Sequence, residues 1–116
     1  MSETADNPTT SGPQMIEVCT ASDLPPGEVK IVDGPDGIKI GVFNCDGKLL
    51  AIEDRCSPDD GPLAEGAFDV TTCTVECPRH GSLFDLETGK PKTLPAYEAV
   101  LTYPVILEDD KIRLEV

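Results

Sequence analysis

The chain has 116 residues and a net charge of −13, from 9 basic and 22 acidic residues. This length fits one domain. The acidity argues against binding to nucleic-acid phosphates, which requires clusters of Lys and Arg, and an anionic membrane surface would repel the chain. The charge is consistent with two interpretations: solubility, and electrostatic steering toward a basic partner.

The N-terminal segment, residues 1–14, has no hydrophobic pattern and predicts a disordered tail ahead of a folded domain at 15–116. The segment lacks the apolar core of a signal peptide, and no apolar run has the length of a membrane span. We therefore expect a cytoplasmic protein whose thiols stay reduced. The odd number of cysteines, 5, disfavours a fully paired disulfide framework.

Short alternating segments separated by Gly and Pro predict β-strands along the whole folded part. The predicted strands are 15–19, 28–32, 38–44, 48–53, 71–76, 83–86, 100–107 and 111–116. One helical turn is expected before Pro25, and Asp46-Gly47 is a strong signal for a hairpin turn. Strands at a spacing of about ten residues predict an all-β antiparallel sandwich or small barrel. No stretch sustains a helical period.

Two loops carry the residues that suggest chemistry, 55–66 and 76–85. His80, the single histidine of the chain, follows Cys77 in a Cys-x-x-His motif. This spacing suits zinc or iron–sulfur ligation. Taken alone, the motif is as well explained by a chance cysteine beside a surface histidine. Cys56 on the first loop favours the metal interpretation.

The stretches CSPDDGPLAEG (56–66) and TTCTVECPRHGSLFDLETGKP (71–91) resemble the cluster-binding segment of Rieske [2Fe–2S] proteins. In that family a Cys-x-His loop and a Cys-x-x-His loop supply two thiolates to one iron and two imidazoles to the other. The resemblance is closest to the small soluble ferredoxins of the family, which pass electrons to oxygenases. It implies a Rieske-like antiparallel β-sandwich with a small cluster-binding subdomain at about 54–92.

The resemblance implies a role for each matching position. Cys56 and Cys77 are expected to hold the buried iron, and His80 the outer iron near the surface. Ser82 stands where the family uses a hydroxyl to bond a cluster sulfide and raise the reduction potential. Phe84 stands where some relatives of high potential have a hydrogen-bonding Tyr. Neither loop has a second cysteine for the family's loop-to-loop disulfide, so we expect a potential in the lower part of the Rieske range.

One ligand of the family pattern is missing. The position of the first histidine is occupied by Pro58, which has no donor atom. The nearest candidates for a substitute ligand are Asp59 and Asp60, since a carboxylate can ligate iron. The simpler interpretation of these two aspartates is that they form a turn beside Gly61.

The other cysteines are less suitable ligands. Cys73 lies four residues before Cys77 on a predicted strand, a separation of about 13 Å at ~3.3 Å per residue. It is expected to pack as a small apolar side chain, and Cys19 and Cys45 are expected to be structural. Two alternatives stay open for the loops. The fold could be kept without a cluster, as in the degenerate Rieske-fold subunits of some nitrite reductases, or the loops could hold a mononuclear metal such as zinc.

The function implied by the resemblance is one-electron transfer from a reductase to an oxygenase or another redox enzyme. The acidic surface would steer docking to a basic surface on these partners. No nucleophile, base and orienting group occur together, so we expect an electron-transfer component and not a stand-alone catalyst. The alternative function is that of a clusterless subunit which binds a larger redox enzyme.

Overall fold

The computed structural model describes residues 15–55, 63–78, 81–94, 96 and 98–116. The predicted tail, 1–14, lies outside these residues. The strands are β1 (Met15–Thr20), β2 (Val29–Asp33), β3 (Lys39–Cys45), β4 (Lys48–Glu53), β5 (Ala67–Asp69), β6 (Thr74–Glu76), β7 (Leu83–Asp85), β8 (Thr102–Tyr103), β9 (Val105–Glu108) and β10 (Lys111–Glu115). Two short 3₁₀ turns, Ala21–Asp23 and Pro35–Gly37, complete the described elements. The prediction of an all-β fold is confirmed.

The strands form three antiparallel sheets, in the orders β9-β10-β1, β2-β3-β4-β8 and β5-β6-β7. Because successive side chains of a strand point to opposite faces, β3 contributes side chains to two separate hydrophobic cores. Ile40 and Val42 pack with Ile112 and Leu114 of β10, whereas Phe43 packs with Val75 and Phe84 of the β5-β6-β7 sheet. The four-stranded sheet therefore forms the central layer between the other two.

The β3–β4 hairpin forms where the sequence predicts it. Asp46 and Gly47 both have positive φ, 54° and 95°, as a type I′ turn requires. The side-chain oxygen of Asn44 accepts a hydrogen bond from the Gly47 amide at 2.7 Å. The turn thus fixes the register in which Cys45 faces Lys48.

The prediction of one strand over 100–107 is wrong. Pro104 separates β8 from β9, and these two strands belong to different sheets. Proline has no N–H for a ladder and is tolerated at such breaks. The chain therefore crosses from the central sheet to the outer sheet at Pro104.

The prediction of a strand over 71–76 is also partly wrong. Only Thr74–Glu76 is extended, and Cys73 lies in the preceding turn with φ of 53°. The sequence pattern also missed β5, which pairs with β6 across this turn. The Asp69 carboxylate accepts a hydrogen bond from the Thr71 amide at 2.8 Å, and this contact favours a turn over the strand that the threonines prefer.

No helix within the described ranges is both long and apolar enough to cross a lipid bilayer.

Candidate metal centre

The structure describes some of the predicted site residues and not others. Cys77 and Ser82 lie within the described residues. The remaining predicted ligands and candidates lie outside them: Cys56, Asp59, Asp60 and His80. Within the described residues, no group of three or more His, Cys, Asp or Glu side chains is arranged to hold a metal ion. The ligand set therefore stays a prediction.

The second loop begins at Cys77, directly after β6. The Cys77 amide donates to the Ser82 carbonyl at 2.7 Å, and the Gly81 amide donates to the Cys77 carbonyl at 2.9 Å. Gly81 has a φ of 74°, in the left-handed region that glycine adopts without strain. These contacts close the loop into a tight turn, and Cys77 lies buried at its base with 1% exposure.

Ser82 provides a test of whether the loop fits an iron–sulfur cluster. The residue is fully buried, and its hydroxyl oxygen accepts a hydrogen bond from the Ala96 amide at 3.0 Å. Among the described residues, the hydroxyl hydrogen of Ser82 has no acceptor. A buried donor left without an acceptor is costly, so a further acceptor is expected beside it. A cluster sulfide is such an acceptor, and this side of the site therefore fits the group.

Of the first loop, the structure describes only the two ends. Asp54 immediately precedes Arg55 and Cys56, and one oxygen of its carboxylate accepts hydrogen bonds from the Leu63 and Ala64 amides, both at 2.6 Å. The Asp54 amide in turn donates to the Lys39 carbonyl at the start of β3, at 2.8 Å. Asp54 does not stand out in the sequence as a functional residue. The only signal was its place two residues before a predicted ligand.

A buried acid, Glu53, lies beside these ends. One carboxylate oxygen accepts a hydrogen bond from the Leu101 amide at 3.2 Å, and the other lies 3.1 Å from Nε of Arg55. Burial raises the pKa of Tyr103 on the neighbouring strand β8, and the negative charge of Glu53 raises it further. Glu53 thus joins the end of β4 to the segment that precedes β8.

Cys45 and Cys73 form a disulfide, with their Cα atoms 5.8 Å apart. The expectations that the thiols stay reduced and that Cys73 packs as a lone apolar side chain are therefore wrong. The sequence placed Cys73 on a strand, whereas its position in the β5–β6 turn brings it to the end of β3. A disulfide-bonded cysteine cannot ligate iron, so Cys73 is excluded from the ligand set.

Cys19 lies on β1, in the sheet that contains none of the loop residues. Burial raises the pKa of its thiol, with opposing contributions from Lys30, which lowers it, and Asp23, which raises it. A raised pKa keeps the thiol protonated, which disfavours metal binding. The structural role expected for Cys19 stays a prediction.

Comparison with known proteins gives consistent results. A family model described as the Rieske [2Fe–2S] domain matches residues 14–104. The 3-phenylpropionate/cinnamic acid dioxygenase ferredoxin subunit of Photorhabdus laumondii is 41% identical over 100 residues, which cover 85% of this chain and 91% of that subunit. Such coverage means that the similarity extends over nearly the whole of both chains.

Two solved structures resemble the fold closely. The ferredoxin of carbazole 1,9a-dioxygenase from Nocardioides aromaticivorans IC177 has a TM-score of 0.81 and 32% identity, over 90% of this chain and 97% of that one. A chain from a complex of reduced oxygenase and oxidized ferredoxin in carbazole 1,9a-dioxygenase also has a TM-score of 0.81, with 28% identity, over 87% of this chain and 92% of that one.

Proposed function

The chain belongs to the Rieske [2Fe–2S] domain family, and from this premise we propose that it is the ferredoxin of a dioxygenase system. Membership in the family makes it a one-electron carrier that uses a [2Fe–2S] cluster. The proposed task is to take electrons from a reductase and pass them to the oxygenase. This proposal is supported by relatives that are dioxygenase ferredoxin subunits of nearly the same extent.

The residues proposed to hold the cluster are Cys56 and Cys77 at one iron and His80 at the other. When bound, the cluster supplies a centre that gains and loses one electron. The buried hydroxyl of Ser82 supports this assignment most directly, because its hydrogen lacks an acceptor among the described residues. We propose that it donates to a cluster sulfur, which raises the reduction potential.

The fourth ligand is proposed to be a carboxylate, from Asp59 or Asp60. Pro58 removes the family's first histidine, and the chain has no histidine besides His80. A carboxylate oxygen is a harder donor than imidazole but does ligate iron. Such a ligand set has the two thiolates of the family and one imidazole in place of two.

The first experiment measures iron, acid-labile sulfide and zinc per chain, with an absorption spectrum, on protein purified without oxygen. We expect a [2Fe–2S] spectrum in the native protein and its loss in His80→Ala. Replacing the ligating aspartate in Asp59→Asn or Asp60→Asn is expected to alter the spectrum. Asp109→Asn, in the turn between β9 and β10, is the matched control and is expected to leave the spectrum unchanged.

Four outcomes would contradict parts of the proposal. A cluster that persists unchanged in His80→Ala would remove His80 from the ligand set. Unchanged spectra in both aspartate variants would remove the carboxylate ligand. Protein without metal would support the alternative function, a clusterless subunit that binds a larger redox enzyme, for which Pro58 is the favouring observation. Zinc without sulfide would instead indicate a mononuclear site.

The proposed partners dock through basic surfaces. The net charge of −13 would steer the ferredoxin toward such surfaces and raise the association rate. Leu94 is expected to contribute an apolar contact, because it is 81% exposed and lies next to Thr93, whose hydroxyl accepts a hydrogen bond from the Leu83 amide. Because Leu83 belongs to the second loop, this hydrogen bond holds the segment that carries Leu94 beside that loop.

Electron transfer to the oxygenase of the 3-phenylpropionate/cinnamic acid dioxygenase system tests the docking. We expect the second-order rate to fall as ionic strength rises, because salt screens the steering. Leu94→Ser is expected to lower the rate, whereas Leu107→Ser, the same substitution at an exposed leucine of β9, is expected to leave it unchanged. A rate independent of salt, or equal effects of the two variants, would contradict the proposed surface.

The proposed location is the cytoplasm. The support for this location is the need of the thiolate ligands to stay unoxidised for iron binding, whereas the Cys45–Cys73 disulfide argues against it, because disulfides are rare in a reducing compartment. Fractionation of the source cells, with detection of the chain by antibody, tests this location, and recovery of the chain outside the cytoplasm would contradict it.

A further inference from the structure

Asp54 ties together the two ends of the first loop. The segment 56–62 carries Cys56 and lies between Asp54 and Leu63 in the chain. One oxygen of the Asp54 carboxylate accepts hydrogen bonds from both the Leu63 and Ala64 amides, at 2.6 Å each. Hydrogen bonds to an ionised carboxylate are shorter and stronger than those to a neutral acceptor. The chain that leaves β4 and the chain that returns after the loop are therefore held at a fixed separation.

The returning chain is itself packed against the rest of the site. Leu63 and Ala64 are fully buried, and a Cβ added to Gly41 of β3 would lie 2.7 Å from the Ala64 Cβ. The Gly66 amide donates to the Leu63 carbonyl at 3.0 Å, which closes this turn. The turn over 63–66 thus rests directly on the central sheet.

The same turn also meets the second loop. A Cβ added to Gly66 would overlap the carbonyl group of Glu76 and approach Cδ of Pro78 to 3.1 Å. Glu76 and Pro78 flank Cys77. A continuous series of contacts therefore runs from the Asp54 carboxylate, through the turn over 63–66, to the backbone on both sides of Cys77.

We propose that Asp54 is a positioning residue for the cluster, because it fixes the two ends of the first loop relative to the backbone around Cys77. This inference rests on the proposed ligand set. Removing the carboxylate leaves two buried amides without an acceptor, and the ends of the loop separate from each other. The cluster is then expected to be held less tightly and in an altered geometry.

The test compares Asp54→Ala and Asp54→Asn with Asp69→Ala. Asp69 is the matched control, because its carboxylate also accepts a backbone amide, that of Thr71, but in the β5–β6 turn. The readouts are the electron paramagnetic resonance spectrum of the reduced protein, its reduction potential, and the rate at which a chelator removes iron. Each variant is also unfolded with urea to measure its stability.

We expect Asp54→Ala to change the resonance spectrum and to speed iron removal by at least about tenfold. A tenfold change corresponds to only part of the free energy that two charge-assisted hydrogen bonds can contribute. Asp54→Asn keeps an acceptor oxygen without the charge, so an intermediate effect is expected. Asp69→Ala is expected to lower stability alone. If Asp54→Ala lowers stability like the control but leaves the spectrum, potential and iron removal unchanged, the positioning role is overturned.

A second readout separates this inference from the proposed function. If the native protein holds no iron, the function fails, but the loop position can still be measured as the rate of Cys56 alkylation in metal-free protein. Asp54→Ala is expected to raise that rate relative to both the native chain and Asp69→Ala. An unchanged rate would overturn the inference whether or not a cluster binds.

Discussion

At the scale of single residues, Gly66 shows how closely the two loops approach. Its Cα lies so near the backbone of Glu76 that no side chain fits between them. The obstructing atoms belong to the backbone of a paired strand, so they cannot move aside as the end of a flexible side chain can. Glycine is thus required at position 66 because no side chain fits there, and not because the backbone is left-handed.

Gly66→Ala is expected to lower the free energy of unfolding by about 1–3 kcal/mol or more, as overpacking does in other cores. Gly37→Ala is the matched control, because Gly37 has a φ of 76° but has no atom within 4 Å of an added Cβ. It should cost only the strain of a left-handed alanine, about 1 kcal/mol. Urea unfolding of both variants measures the difference, and equal losses would contradict the close approach.

The residues of the site differ in how far the sequence predicts them. Among the proposed site residues, Cys77 is singled out by the Cys-x-x-His spacing, which suits metal ligation, and Ser82 is singled out by the resemblance to the Rieske family. Asp54 is not, because its role depends on amides nine and ten positions further along the chain. No local pattern encodes a contact that forms only when a loop closes.

At the scale of elements, β8 shows how a very short strand can join distant parts of the chain. It consists of Thr102–Tyr103 and pairs with β4 through Ile52 and Ala51. Directly before it, the Glu53 amide donates to the Leu101 carbonyl at 2.8 Å. Tyr103 is thereby held partly buried near the Glu53 carboxylate, which explains the raised pKa of its phenol.

This raised pKa predicts a loss of stability in alkali. Below pH of about 10, the pKa of an unperturbed Tyr, the phenol is protonated in both folded and unfolded chains. Above it, the unfolded chain releases the proton first, so stability falls as pH rises toward the folded pKa. Tyr103→Phe removes this contribution, and its stability should fall less steeply than that of the native protein above about pH 10.

Urea unfolding between neutral and strongly alkaline pH checks this expectation. If the stability of Tyr103→Phe falls as steeply above about pH 10 as that of the native protein, the assignment to Tyr103 is contradicted.

The elements also differ in their predictability. The β3–β4 hairpin is predictable because Asp46-Gly47 determines its turn locally. The β5–β6 hairpin is not, because Thr71 and Thr72 favour extended backbone while the chain there turns. A side-chain contact from Asp69 and a bond from Cys73 to the distant Cys45 decide that conformation.

At the scale of the whole molecule, the disulfide joins the central sheet to the β5-β6-β7 sheet. Cys45 ends β3, and Cys73 lies in the β5–β6 turn, 28 positions further along the chain. The two sheets also share the core around Phe43, whose ring meets Phe68 edge-on at a centroid distance of 5.0 Å. The covalent bond and the apolar contacts therefore hold the same two layers together.

Removing the disulfide is expected to lower the free energy of unfolding by about 3.5 kcal/mol, the loop-entropy value for a sequence separation of 28. The double variant Cys45→Ala/Cys73→Ala tests this in urea, with Cys19→Ala as control. Native protein treated with a dithiol reductant should lose the same stability. A native protein insensitive to the reductant, or a control variant equally destabilised, would contradict the structural role of the bond.

The sequence predicts the whole molecule in outline, because turn residues and strand alternation specify an antiparallel all-β chain. It does not reveal the disulfide. Cysteine count and the expected compartment both argued against pairing, and the pairing depends on Cys73 leaving a strand that its neighbours favour.

The position of β6 has a consequence for the speed of electron transfer. The strand is three residues long, with the disulfide-bonded Cys73 directly before it and the proposed ligand Cys77 directly after it. A strand that has a covalent bond directly before it and pairs with a neighbour on each side leaves its ligand little room to shift when the charge of the centre changes. A small shift means a small reorganisation energy, because preorganised groups need not move as the charge develops. The Cys45–Cys73 disulfide in the β5–β6 turn would thus contribute to a low activation barrier for electron transfer.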